Sequence, residues 1–191
     1  MLRFLLAVLM FWGTQASTQT YAGPKSLGPF RIDRDVSMNS LFEKLGHPPK
    51  VAGDTFCYQS REGHAYLVLT RMVAVYDGKI AGNVQLSDFR SCLDKPIQVT
   101  SDVLATWKTE RGIGLGSSSE DIMKAYGKPS SVENIGTDYR AIIHGAPAHS
   151  ERNPEVGTTV LGYKGASDDL NAAYFGIRDG KVAWISLSKN E

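Results

Sequence analysis

Apolar positions along the chain follow two alternating patterns. After Ser37 they fall at Leu41, Phe42 and Leu45, the i, i+1, i+4 spacing of one helix face, and the run stops at Gly46 with Pro48 close behind. After Ser118 the same spacing returns at Ile122, Met123 and Tyr126, and stops at Gly127 and Pro129. A serine before each run supplies an N-cap, and a glycine after it supplies the left-handed residue that ends a helix. In the second run Ser117 and Glu120 fit the S-x-x-E capping box. The two stretches register over a longer span: Ile32 meets Ile113, Ser37 meets Ser118, Leu45 meets Tyr126 and Pro48 meets Pro129.

Behind each helix the pattern changes to alternation, the period of a strand. VAVYDGKIAGNVQLS, from Val73, resembles YFGIRDGKVAWISLS, from Tyr174, and each places Asp-Gly-Lys between apolar runs. Asp-Gly is a strong hairpin signal, because a type I′ turn needs positive φ at both central residues. The pattern predicts strands over 55–59, 65–76 and 79–87, then over 138–143, 158–164, 172–178 and 181–188, with 97–109 as a linking or shared strand. HGAPAHSERNPEVG, rich in proline, glycine and polar residues, reads as a long loop inserted over 145–157. The expected class is α+β: two tandem units, 23–100 and 101–191, each a short helix packed on one face of an antiparallel sheet.

A capped helix ending in Leu-Gly-x-Pro or Tyr-Gly-x-Pro, followed by strands around an Asp-Gly-Lys hairpin and duplicated along one chain, resembles the SmpA/BamE-like superfamily. Its β-lactamase inhibitor protein-like members are built from two such units. The resemblance covers nearly all of the chain after its first residues. It implies a helix-and-sheet fold and a role in protein recognition, either enzyme inhibition or envelope assembly.

The first residues read differently. MLRFLLAVLMFWGTQAS has an early charge at Arg3, an apolar run from Phe4 to Trp12, and small residues at Ala16 and Ala22, each with a threonine two positions before it. That is the layout of a secretory signal peptide over 1–22, cut after Ala16 or Ala22. The apolar run is shorter than the roughly 20 residues that span a bilayer. A periplasmic or secreted protein is expected, with no transmembrane segment once the signal is removed.

Composition narrows the function classes. The formal net charge is +1, and there is no basic run to meet a nucleic acid or an anionic membrane surface. The two cysteines, Cys57 and Cys92, are expected to pair in an exported chain, stabilising it by roughly 4 kcal/mol in the chain-entropy model.

RGIGLGSSSEDIMKAYGKP, from Arg111, looks at first like a phosphate loop opening a helix. Its glycines, 112, 114 and 116, miss the spacing of a dinucleotide fingerprint, and no Gly-Lys-Ser/Thr follows. The matching first stretch has Arg31, Asp33 and Asp35 in their place, and carboxylates there would repel a phosphate. The stretch therefore reads as a helix entry.

Of the histidines, His47, His64, His144 and His149, the last two form only a pair within the loop, too few for zinc. No nucleophile elbow is present. The expectation is a non-catalytic protein-binding module without cofactor or metal; a small periplasmic hydrolase or ligand-binding protein is the alternative. Alternation puts Phe175, Ile177, Ile185 and Leu187 toward the helices and Tyr174 and Trp184 on the opposite face. Tyr66 and Tyr163 are expected to join them. That face, together with His144 and His149 in the loop, is the candidate surface for a protein partner.

Overall fold

The computed structural model describes residues 21–32, 38–47, 55–71, 82–90, 96–135, 158–165 and 171–189. Ten strands and two α-helices lie among them. The chain opens with the two-residue strands β1 (Ser26–Leu27) and β2 (Phe30–Arg31), a hairpin of their own. Helix α1 (Met38–Leu45) follows, then β3 (Thr55–Ser60), β4 (Tyr66–Arg71), β5 (Gly82–Ser87) and β6 (Ile97–Thr100). A single 3-10 turn at Leu104–Thr106 leads to α2 (Ser119–Tyr126). The last strands are β7 (Ser131–Asn134), β8 (Thr159–Lys164), β9 (Ala172–Arg178) and β10 (Lys181–Lys189).

Eight of these strands form one sheet, in the order β6-β3-β4-β5-β10-β9-β8-β7. This overturns the expected α+β class of two tandem units, each with its own helix and antiparallel sheet. Strand conformation accounts for 48% of the described residues and the helices among them are only eight residues each. The sheet is mixed, because β6 runs parallel to β3, with Cys57 opposite Ile97. It is also continuous across both halves of the chain, because β10 pairs antiparallel with β5 from Trp184↔Ser87 to Lys189↔Gly82. Neither half completes a sheet of its own.

The last hairpin forms as its Asp-Gly pair dictates. Asp179 has φ 51° and Gly180 φ 73°, the two positive values that a type I′ turn requires. The turn around Asp77-Gly78, between β4 and β5, and the strand expected over 138–143 lie outside the described residues, as does the loop 145–157. The expected linking strand 97–109 is shorter than its pattern suggested: β6 stops at Thr100, where Thr100 Oγ1 accepts from Asp102 N at 3.1 Å and starts the turn.

One face of the sheet carries the main core. Tyr58, Leu67, Val84, Leu86, Phe175, Ile185 and Leu187 are fully buried there against Leu41 and Leu45 of α1 and Ile122 and Tyr126 of α2. The helices are fastened in the same way. Each ends at a glycine of positive φ, Gly46 (91°) and Gly127 (77°). The carbonyl of each accepts a tyrosine hydroxyl from the sheet, Tyr58 at 3.1 Å and Tyr163 at 2.9 Å. Burial raises both phenol pKa values above the ordinary 10.0.

The cap of α2 is shifted by one residue from the expected Ser117–Glu120 pair. Ser118 is the N-cap: its Oγ accepts from Asp121 N at 3.1 Å, and Asp121 Oδ2 accepts from Ser118 N at 3.0 Å. Ser117 is already engaged, its Oγ accepting from Gly114 N at 3.1 Å and its carbonyl accepting from Val182 N at 2.8 Å. The hydrogen bonds from Ser118 hold the Asp121 carboxyl below its ordinary pKa of 3.8. A depressed folded-state pKa contributes stability above the unfolded value and loses it as pH falls toward the folded one. The stability gap between wild type and Asp121→Asn should therefore be full above about pH 3.8 and should close below it, read from urea midpoints across an acid pH series. A gap independent of pH would contradict the cap geometry.

Candidate functional site

Strand alternation leaves a second face of the sheet, turned away from both helices. Its residues follow from the register. Cys57 and Gln59 come from β3, Tyr66, Val68 and Thr70 from β4, and Asn83, Gln85 and Ser87 from β5. Beyond them lie Trp184 and Ser186 of β10, Tyr174 and Gly176 of β9, and Val160 and Gly162 of β8. Ile97 and Val99 of β6 lie beside Cys57 and Gln59.

The two halves of this face differ. Over β8, β9 and β10 it is closed by a small apolar cluster of Ile135, Val160, Ala183 and Trp184, with Phe89 and Tyr174 against it. Trp184 is only 1% exposed. Its indole lies on Gly176, where a Cβ would come within 1.9 Å of Nε1, so only glycine leaves room for the ring. Nε1 is buried and without a hydrogen-bond partner among the described residues. Two cations cover the rim: Lys164 Nζ is 5.7 Å from the centre of the Tyr174 ring, and the Arg178 guanidinium 5.3 Å from that of Phe89. Arg178 also meets Asp88 at 3.6 Å. At the joint between the halves, Ser186 Oγ donates to Asn83 Oδ1 at 2.8 Å, fully buried.

Over β3, β4 and β6 the face is more open. Gln59 Nε2 donates to the Tyr66 hydroxyl at 3.4 Å. Tyr66, Gln59, Val68, Thr70, Gln85 and Ile97 are all partly exposed, and Val99 is 55% exposed. No charged side chain lies among these seven. The patch is an exposed sheet surface of tyrosine, amide and β-branched groups on hydrogen-bonded strands.

The structure separates the residues that the sequence grouped. Tyr66 lies on the open part of the second face. Tyr174 lies on that face under Lys164, and Trp184 lies on it but is buried. Tyr163 does not belong to it. It faces the helices at 3% exposure, edge-on to Tyr126 and Phe175 with ring centres 5.9 Å apart in each case. The reason is that β8 is buried on both sides from Val160 to Tyr163, so apolar alternation there does not reveal which side faces the helices. His144, His149 and Cys92 lie outside the described residues. Cys57 is on the second face, 2% exposed. Gln59, Gln85 and Val99 share the face of Tyr66 through strand parity alone, with no aromatic or charge signal in the sequence to single them out.

The glycine stretch before α2 borders a concavity of about 430 Å³ lined by Arg111, Gly112, Ile113, Ser117, Asp121, Lys124 and Ala125. It is not a phosphate cradle, because every glycine amide in it is engaged. Gly112 N donates to Thr109 O, Gly114 N to Ser117 Oγ and Gly116 N to Val182 O. The Asp121 carboxylate occupies the helix start. Arg111 lies over the Tyr126 ring at 5.2 Å and donates to Ala125 O. Among the described residues, no three histidine, cysteine or acidic side chains gather as a metal site would need, and no helix is long and apolar enough to cross a membrane. Comparison of the chain with protein-family models, with curated proteins and with solved structures finds no match.

Packing of Trp184 on Gly176 gives a stability test. Trp184→Ala should cost about 3–5 kcal/mol and Gly176→Ala about 1–3 kcal/mol or more, while Tyr66→Ala should fall well below both, measured by denaturant unfolding. Equal costs at positions 66 and 184 would contradict the division of the face into closed and open parts.

Proposed function

We propose that this chain is an exported, non-catalytic protein-binding module, and that its recognition surface is the open part of the second sheet face around Tyr66. The carrying observation is that uncharged patch: exposed tyrosine, glutamine and valine side chains on β3, β4 and β5, each paired on both sides, and on the edge strand β6 beside them. Tyrosine offers a large contact area for little lost rotamer freedom, and amides adapt their hydrogen bonding to a partner. An exposed sheet face of this composition suits another protein's surface, which tyrosine-rich patches commonly meet. The resemblance to the SmpA/BamE-like superfamily supports the same reading, with enzyme inhibition or envelope assembly as the role. In that setting Cys57 is bonded to Cys92.

The reading is tested by a photo-crosslinking residue placed at position 66 and, as a control on the helix side, at position 123, where Met123 is exposed. Position 66 should trap a discrete envelope protein in an exporting cell and position 123 should not. Trapping from neither position, or equally from both, would contradict the assignment.

A further inference from the structure

Among the described residues β6 has a neighbour on one side only, β3. Which of its main-chain groups face outward follows from two hydrogen bonds. Ser60 N donates to Ala65 O at 2.9 Å across the β3–β4 hairpin. In β3 the main-chain groups of Tyr58 and Ser60 therefore face β4, and those of Cys57 and Gln59 face β6. The parallel register sets Gln59 beside Val99, so Gln59 bonds to Gln98 and Thr100, and the main-chain groups of Ile97 and Val99 point away from the sheet. The Gln98 side chain agrees: its Nε2 donates to Val99 O at 3.2 Å, capping that outward carbonyl.

This edge lacks the usual protections against pairing with another chain. Ile97-Gln98-Val99-Thr100 carries no charge, its register with β3 is unbroken, and Val99 is 55% exposed. The opposite edge differs, because β7 carries Glu133 and is exposed from Val132 to Asn134. The β6 edge is also complementary to itself. With two copies antiparallel about a twofold axis at Gln98, Ile97 of each copy lies opposite Val99 of the other. Both residues face outward, so each such pair exchanges two N–H···O=C bonds, and the Gln98 amide gives up Val99 O to the incoming N–H. The side chains of Ile97 and Val99 lie on the second face with Cys57 and Gln59, where opposed β-branched residues pack across strands. The open patches of the two copies then meet in one face. Such a contact is isologous and closes at two copies, and the charge on β7 keeps the sheet from growing at its other edge.

We infer that β6 is a dimerisation edge, along which a second copy of this chain pairs antiparallel about Gln98 and continues the sheet. So short a contact makes a weak dimer, at the small end of specific interfaces. Sedimentation velocity tests it on the full chain, purified as the host leaves it, from about 10 μM to about 1 mM. The mass should rise toward two chains. Val99→Lys, which charges the edge without touching the core, should raise the dissociation constant at least about tenfold, and Val132→Lys on β7 should leave it unchanged. The register is read separately. Gln98→Cys sets two cysteines opposite each other at a Cα spacing of about 4.5 Å, so mild oxidation should give a covalent dimer that neither the parent chain nor Val99→Cys forms. The Val99 amide should exchange freely with solvent in dilute protein and slow as concentration rises. A chain still monomeric at the top of the range, a dimer indifferent to Val99→Lys, a faster crosslink from position 99 than from 98, or a Val99 amide protected at every concentration would each overturn the inference. A monomer that pairs β6 with a strand of some other protein would overturn the choice of a second copy.

Discussion

Six residue pairs between β5 and β10 join the first half of the chain to its last strand, and the rest of the molecule is arranged around that joint. Without it the sheet would divide into β6-β3-β4-β5 and β10-β9-β8-β7, each with a bare central edge. Exposed edges of that kind are prone to pair with other chains. With it, Leu86 and Ile185 become neighbours in one core, and the buried Ser186–Asn83 hydrogen bond fixes the register. A slip of one residue would turn Leu187 and Ile185 to the wrong face. The N-terminal segment adds a second tie, through Glu110 and the hairpin against Trp107.

The joint also explains why the second face has two characters. Next to β10 the face is closed by Trp184, which can lie flat only because Gly176 has no side chain. Next to β4 no such cover lies among the described residues, and Tyr66 and Gln59 are partly exposed on a backbone held by its neighbours. A binding surface on paired strands loses little conformational freedom when a partner arrives, which favours affinity. In the proposed function, recognition and stability fall to neighbouring parts of one face, the aromatic of the closed part serving packing and that of the open part left for contact.

Much of the local structure was legible from residue pattern. The helix faces at Leu41, Leu45, Ile122 and Tyr126 are buried as their spacing required, the strand Ala172–Arg178 has the bounds its alternation gave, and the Asp179-Gly180 turn has the dihedrals its residues demand. The cap slipped because Ser117-Ser118 followed by Glu120-Asp121 offers the same serine-to-acid spacing in two registers, and only the prior engagement of Ser117 decides between them. The merging of the sheet was not legible, because pairing between β5 and β10 joins residues far apart in sequence and leaves no local period. Nor was the side taken by Tyr163, since β8 is buried on both faces, or the burial of Trp184, whose cover of Ile135, Val160 and Phe89 comes from residues distant in the sequence. The open patch was half legible: Tyr66 was singled out, but the glutamines beside it carry no signal apart from their position in the strand.

The claim that one sheet unites the two halves is tested most directly by native-state hydrogen exchange through increasing denaturant. The amides of Val84 and Leu86 in β5 and of Ile185 and Leu187 in β10 should exchange only through a single global opening, with one free energy and one denaturant dependence. If the β5 amides open with the first half and the β10 amides with the second, at different free energies, the joint does not hold the molecule together and the account fails.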